Sequence, residues 1–266
     1  MITSTDIRKD ARNHLTNKWG KGALITLAYF VIEFMINILS VCTENIALLN
    51  LIISIAITVI SVPISYGLII SFMKLKRGEE VKAFDFLSLG FSNFSRAWKV
   101  AFSMLGKLIL PIILLVVSIV IFTVASSMIV YSTTYASIYG SSSNVSVALI
   151  LLAVGFITMF ASGIYSYIKQ LSLVLSYNIA YDEPDLTTKQ AVEKSQTLMK
   201  GNRGNYFVLT LSFIGWALLA ALTLGIGLLW LVPYIQVSTV CFYDFLAEKK
   251  SNDSDSTSEP ITEVNE

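Results

Sequence analysis

LILPIILLVVSIVIFTVASSMIVYSTTYASIYGSSSNVSVALILLAVGFITMFASGIYSYI, residues 108–168, runs for 61 positions without Asp, Glu, Lys, Arg or His. An α-helix rises ~1.5 Å per residue and the hydrocarbon core of a bilayer is ~30 Å thick, so ~20 apolar residues make one crossing. This stretch therefore holds two. Its middle, Tyr131 to Ser146 (YSTTYASIYGSSSNVS), is rich in Ser, Thr and Tyr, which suits a water-exposed connection. Spans are expected over 108–130 and 147–168.

The flanks read the same way. Upstream, the apolar segments 22–41 and 47–73 are separated by the short polar piece CTENI and form a hairpin. Downstream, Tyr206 to Leu246 carries a single charge, Asp244. As one straight helix this segment would reach ~62 Å, about twice the apolar thickness of a membrane. It must fold back, and Leu224-Gly225-Ile226-Gly227 is the place because two glycines relax the backbone at a turn. The last spans are then 206–223 and 227–246. The whole chain agrees: of 266 residues 55% are hydrophobic and 14% charged, against about 25% charged in an ordinary soluble domain. Two cysteines cannot supply a disulfide framework.

Charge placement tests the count of six, because Lys and Arg accumulate in short cytoplasmic segments. Five basic residues precede Gly22, seven lie between Lys74 and Lys107, five between Lys169 and Arg203, and Lys249 and Lys250 follow the last span. With six crossings all 19 fall on one side and the opposite connections carry only Glu44. Both termini are then cytoplasmic. Leu39-Ser40-Val41-Cys42 faintly resembles a lipoprotein cleavage site, but Val41 is too large and Glu33 interrupts the apolar run, so the first span is read as a retained anchor.

Each hairpin is preceded by an amphipathic segment: about 4–19 (Ile7, Ala11, Leu15 and Trp19 every four residues), 83–105 (Phe84, Leu87, Phe91, Phe94, Trp98, Phe102, Leu105) and 187–200 (opening on Thr187-Thr188-Lys189-Gln190). Basic, aromatic-bearing helices of this kind gain by lying in the headgroup layer, where apolar side chains leave water and cations meet anionic lipid. The fold class is thus all-α: a polytopic membrane protein with six transmembrane helices in three hairpins, each led by a cytoplasmic surface helix. Residues 1–250 form a single membrane domain. The acidic tail 251–266 (SNDSDSTSEPITEVNE) lacks apolar periodicity and is expected to be disordered.

The run Leu198-Met199-Lys200-Gly201, Leu211-Ser212-Phe213-Ile214-Gly215-Trp216, Thr223-Leu224-Gly225-Ile226-Gly227, Trp230, Pro233-Tyr234 and Phe242-Tyr243 resembles the bacterial membrane-protein family called domain of unknown function 975. Arg8, Ala11, Leu15, Trp19 and Gly20 are similar to its opening. The resemblance covers the chain to about Leu246, and implies a bacterial plasma-membrane location and no assigned chemistry. The layout is also distantly similar to the membrane domains attached to some glycerophosphodiester phosphodiesterases, an analogy of architecture alone.

Candidate chemistry is sparse. Glu33 is the one acid deep within a span, and Thr26, Tyr29, Glu33, Asn37 and Ser40 share one helix face. An ionised carboxylate at mid-bilayer costs at least ~2.5 kcal/mol, so Glu33 is protonated, hydrogen-bonded or hydrated. Glu33, Asn37 and Tyr29 form the candidate intramembrane polar site. The favoured reading is a clamp on a neighbouring helix; the alternative is the wall of a path for a small solute, lipid or proton-coupled transporter. Ser54, Thr58, Ser61 and Ser65, and Gly155, Thr158, Ser162 and Ser166, form further small or hydroxyl stripes that suit close helix packing.

One His and two Cys are too few for a His/Cys metal cluster, the acidic group Asp182, Glu183 and Asp185 around Pro184 reads as a loop, and no phosphate-binding or nucleophile motif occurs. No catalytic residue, cofactor or metal is expected, and the role is read as non-enzymatic. The candidate lipid-surface contacts are Arg8, Arg12, Trp19, Arg96, Trp98 and Lys99. The expected partners are anionic lipid or another membrane protein, not nucleic acid, because every basic cluster adjoins a span.

Overall fold

The computed structural model describes residues 3–43, 45–139 and 146–256, with side chains through 250. Every element among them is a helix: α1 Ser4–Leu15, α2 Trp19–Cys42, α3 Ala47–Arg77, α4 Asp85–Ser92, α5 Phe94–Tyr139, α6 Ser146–Leu173, α7 Ser176–Asp182, α8 Thr188–Met199, α9 Arg203–Leu211, α10 Ile214–Leu222 and α11 Leu228–Ser256. Six helical stretches are long and apolar enough to cross a membrane: Trp19–Cys42, Ala47–Arg77, Phe94–Tyr139, Ser146–Asp182, Arg203–Leu222 and Leu228–Lys250. In the first five only 11–17% of the most apolar residues are buried by protein, and in the sixth 50%. Such exposed apolar surface requires lipid around it.

Several boundaries differ from the sequence reading. The segment 83–105 is not one surface helix: α4 ends at Ser92, and α5 begins at Phe94 and continues through the expected span to Tyr139. The polar stretch from Tyr131 therefore starts as helix, its tyrosines stacking at 6.1 Å (Tyr131–Tyr135) and 4.5 Å (Tyr135–Tyr139); residues 140–145 lie outside the described residues. Glu44 also lies outside them. The fifth span is two helices, α9 and α10, broken at Ser212 and Phe213. α11 runs on to Ser256, so the tail begins as helix; residues 257–266 are outside the described set.

The chain divides into two compact units. The smaller, Met104–Ser172, contains the apolar part of α5 with α6. Gly155 lies against the Phe122 backbone, where a Cβ would come within 2.9 Å of its nitrogen. The hydroxyls of Thr158 and Ser162 donate to carbonyls of their own helix, Val154 (2.8 Å) and Met159 (3.0 Å).

The larger unit, Met1–Ser103 with Leu173–Glu266, is built around the second half of α3. Residues 47–60 of that helix are largely exposed, whereas Ile64, Tyr66, Ile70, Phe72, Met73 and Leu75 are at most 2% exposed. α4 crosses α3 at the closest approach in this unit. A Cβ on Gly67 would overlap the Phe86 carbonyl oxygen, and one on Gly90 would overlap that of Pro63. Only two glycines allow the backbones to touch here.

Pro63 has no N–H, so the Val59 carbonyl one turn earlier loses its helical partner. The Trp98 indole N–H fills the vacancy at 3.1 Å. Around this centre α1 packs on α11, α9 and α3, α7 packs on α8 and α3, and α11 packs on α2 and α3. α9–α10 and α11 run antiparallel, with Tyr206 against Phe242, Phe213 against Tyr234, and Gly227 against Ala220. The chain reverses at Thr223–Gly227, with Leu224 at φ 54° and Gly225 at φ 88°.

The Trp98 bond predicts a coupling. Trp98→Phe should lower stability in detergent by about 1 kcal/mol, the net worth of one hydrogen bond. In a Pro63→Ala background the restored backbone N–H takes the carbonyl, so the same change should cost measurably less. Equal costs in both backgrounds, measured by thermal or denaturant unfolding, would show that the indole does not serve this carbonyl.

Candidate functional site

α1 starts with a capping box. The Asp6 amide donates to the Thr3 hydroxyl oxygen, and the Thr3 amide and hydroxyl donate to the Asp6 carboxylate at 2.9 and 2.7 Å. These bonds hold the Asp6 carboxyl below its ordinary pKa. Ile7, Ala11 and Leu15, each at most 3% exposed, turn inward against protein. The apolar face that the sequence assigns to the headgroup layer is thus covered by the chain itself. α8 behaves alike, burying Ala191, Val192, Leu198 and Met199 behind its Thr187–Gln190 capping box.

Arg8 and Arg12 remain on the flank of α1. With Trp19 they border a cavity of about 600 Å³ whose other walls are Trp216, Leu219, Ala220, Thr223, Gly227, Trp230, Leu231 and Tyr234. Three of the four tryptophans of the chain meet here. Trp19 meets Tyr234 edge-on at 5.9 Å, and the Tyr234 hydroxyl donates to the Arg8 carbonyl at 3.3 Å. Among the described residues neither guanidinium has a hydrogen-bonded or ionic partner, and Arg8 Nε is fully buried without one.

Arg96 requires a correction as a lipid contact. Its Nε–H donates to the Ala180 carbonyl (2.7 Å), one Nη1–H to Pro184 (2.9 Å), and Nη2 to Glu183 (2.9 Å) and Leu186 (3.1 Å). The planar fork matches the carbonyls freed where α7 ends. It is a clamp on the α7–α8 turn. Trp98 is likewise engaged by Val59, so its indole N–H is not a headgroup donor. Lys99 stays exposed, and its ammonium has no partner among the described residues.

The acidic loop is used in ion pairs. Asp182 takes the Arg77 guanidinium in two bonds of 2.5 and 2.6 Å, Glu183 takes Lys194 at 2.6 Å, and Asp244 takes Lys76 at 2.5 Å. Among the described residues no group of three His, Cys, Asp or Glu side chains could hold a metal. His14 sits 3.5 Å from Asp10 on its own helix.

Tyr29, Glu33 and Asn37 lie together on α2 but do not converge. The Tyr29 phenol stands near both the Glu33 carboxyl and Ser65 of α3. Asn37 instead donates to the Glu33 main-chain carbonyl at 2.7 Å and is exposed. The group that spans the helices is Tyr29, Glu33 and Ser65; the spacing of polar residues along one helix gave Ser65 no link to it. Trp216, Trp230 and Tyr234 were also missed as site residues. Their signal was present in the aromatic and glycine positions of the C-terminal resemblance.

Two substitutions separate these roles. Arg96→Lys should destabilise by about 3 kcal/mol or more, since a point charge cannot replace a fork holding four carbonyls and bonds to charged groups are worth about 1.5–3 kcal/mol each. Faster limited proteolysis between 183 and 187 would report it, and unchanged cleavage would contradict the clamp. Glu33→Gln should leave the unfolding midpoint nearly unchanged because the amide keeps a polar group of the same shape beside Tyr29, while Glu33→Leu should lower it.

Comparison with curated proteins and with solved structures finds no similar chain. Among protein families, the one described as "Protein of unknown function (DUF975)" matches residues 1–250. With nearly its whole length matched and six apolar helices, the chain belongs to the DUF975 family of membrane proteins.

Proposed function

We propose that this protein is a non-enzymatic, multi-pass protein of the bacterial plasma membrane, with both termini cytoplasmic, that engages anionic lipid through the helices of its cytoplasmic face. The orientation is supported by the basic residues, which all fall on one side of a six-crossing path. The absence of an enzymatic role is an inference from the sequence, which contains one histidine and no recognisable nucleophile motif.

The observation that carries the lipid reading is the division of faces on α4 and the start of α5. Phe86, Ala97 and Val100 point into the protein, fully buried, while Phe84, Phe91, Phe94 and Phe102 stay exposed at 58%, 47%, 38% and 61%. Of the three amphipathic segments this one keeps an aromatic face outward. Full burial of such a side chain is worth about 1.5–3 kcal/mol. Each nearby Lys or Arg adds about 1 kcal/mol toward an anionic surface. Lys82 and Lys99 supply that charge beside the aromatic face. Aromatic burial sets the depth, and the lysines set the headgroup preference.

Reconstitution in nanodiscs of mixed phosphatidylcholine and phosphatidylglycerol tests this reading. Wild type should enrich phosphatidylglycerol around itself, and Lys82→Glu with Lys99→Glu should reduce that enrichment by about fivefold per reversed charge. Insertion and folding should persist. Equal enrichment in wild type and variant would remove the proposal.

A further inference from the structure

The cavity between α1, α10 and α11 combines features that the aromatic face of α4 and α5 does not share. Its volume, about 600 Å³, falls in the usual range for small-molecule sites, roughly 300–1,000 Å³. Its walls are mostly aromatic and aliphatic, yet two guanidiniums stand at its edge with no acid paired to them among the described residues. In the same unit Lys74, Lys76, Arg77 and Lys194 all have carboxylate partners. Arg8 Nε, buried and unbonded, is a donor whose desolvation is uncompensated among the described residues, a cost of about 1–3 kcal/mol or more. An anion between Arg8 and Arg12 would remove that cost, and the fork of Arg suits phosphate oxygens.

A bare anion would leave the rest of the cavity unfilled. Trp216 and Trp230 are about half exposed, and the α10 surface continues from them through Leu218, Leu219 and Leu222, at 64%, 55% and 80% exposure. This apolar track has the character of an acyl-chain path. The site is also held in advance: the Tyr234 hydroxyl ties down the Arg8 backbone, Phe213 backs Tyr234 edge-on at 5.0 Å, and Trp19 closes one side. Preorganisation of this kind lowers the entropy lost on binding.

We propose that this cavity binds one anionic phospholipid, its phosphate between Arg8 and Arg12 and one acyl chain along Trp216, Trp230 and Leu219. It deepens the lipid reading above, replacing general surface enrichment with a single site of defined stoichiometry, and it rests on that reading for the anionic membrane around the protein.

The test uses the full chain purified in detergent, titrated with phosphatidylglycerol or phosphatidylcholine and followed by native mass spectrometry. In parallel, phosphatidylglycerol with brominated chains is added and tryptophan quenching recorded. One phosphatidylglycerol per chain should survive delipidation, and quenching should saturate as a single site. Arg8→Gln with Arg12→Gln should weaken retention by about tenfold or more, equivalent to about 1.4 kcal/mol. Because neither guanidinium has a protein partner among the described residues, the variant should unfold no earlier than wild type stripped of lipid, whereas lipid-loaded wild type should unfold later than either. Leu219→Trp, which fills the cavity and leaves both charges, should expel the lipid as well.

Inorganic phosphate at the same concentration should not compete; competition equal to that of the lipid would overturn the acyl-chain assignment. Retention of several lipids without stoichiometry, unaffected by either variant, would overturn the single site. Those variants leave Lys82 and Lys99 untouched, so nanodisc enrichment can persist when stoichiometric retention fails, and its loss by charge reversal at the two lysines leaves retention to be judged separately.

Discussion

The close contact of α3 with α4 is the interaction on which the larger unit depends. It sits where one helix changes surroundings, from largely exposed residues before Val62 to nearly complete burial between Ile64 and Leu75. A helix of 31 residues is ~46 Å long, which exceeds the hydrocarbon core by several turns. The excess must be covered by protein or water. Gly67 and Gly90 bring α4 onto it at backbone distance, and Trp98 satisfies the carbonyl that Pro63 orphans at the same place. A proline that would weaken a solitary helix is accommodated because the partner segment brings its own donor.

Charge is organised by the same packing. In an apolar or half-buried setting a carboxylate and a cation stay together, since separating them leaves one uncompensated. Asp182, Glu183 and Asp244 are each matched to a cation on another element or a different helical turn. Arg96 has no acid partner among the described residues; four main-chain carbonyls hold it. These commitments remove most of the basic residues near the ends of α3, α5 and α8 from consideration as ligands for anything outside the chain. Arg8, Arg12, Lys82 and Lys99 are among the basic residues that no such partner reaches among the described residues.

Much of the architecture was legible beforehand. The charge-free run at 108–168 demanded lipid, the length of 206–246 demanded a reversal, and Gly225 and Gly227 marked it. Helix ends with complete local chemistry, such as Thr3 with Asp6 and Thr187 with Gln190, form as capping boxes. Boundaries failed where no local stop exists. Between Lys99 and Leu108 there is no proline and only Gly106 weakens a helix, so α5 continues from its amphipathic start into the apolar run, and the tyrosines after Val130 extend it further.

Periodicity identifies a face as apolar but does not say whether lipid or protein will meet it, because both are apolar surroundings with similar transfer energies. The sequence by itself determined that lipid is the solvent, how many helices are fit to cross it and where the last pair reverses. Only the tertiary structure decided that α1 and α8 turn their apolar faces inward, that Arg96 is a clamp, and that Trp19 joins Trp216 and Trp230 beside Arg8 and Arg12. Those outcomes depend on contacts such as Tyr234 with Arg8, 226 residues apart, and no local pattern of side chains encodes the meeting of segments so distant along the chain.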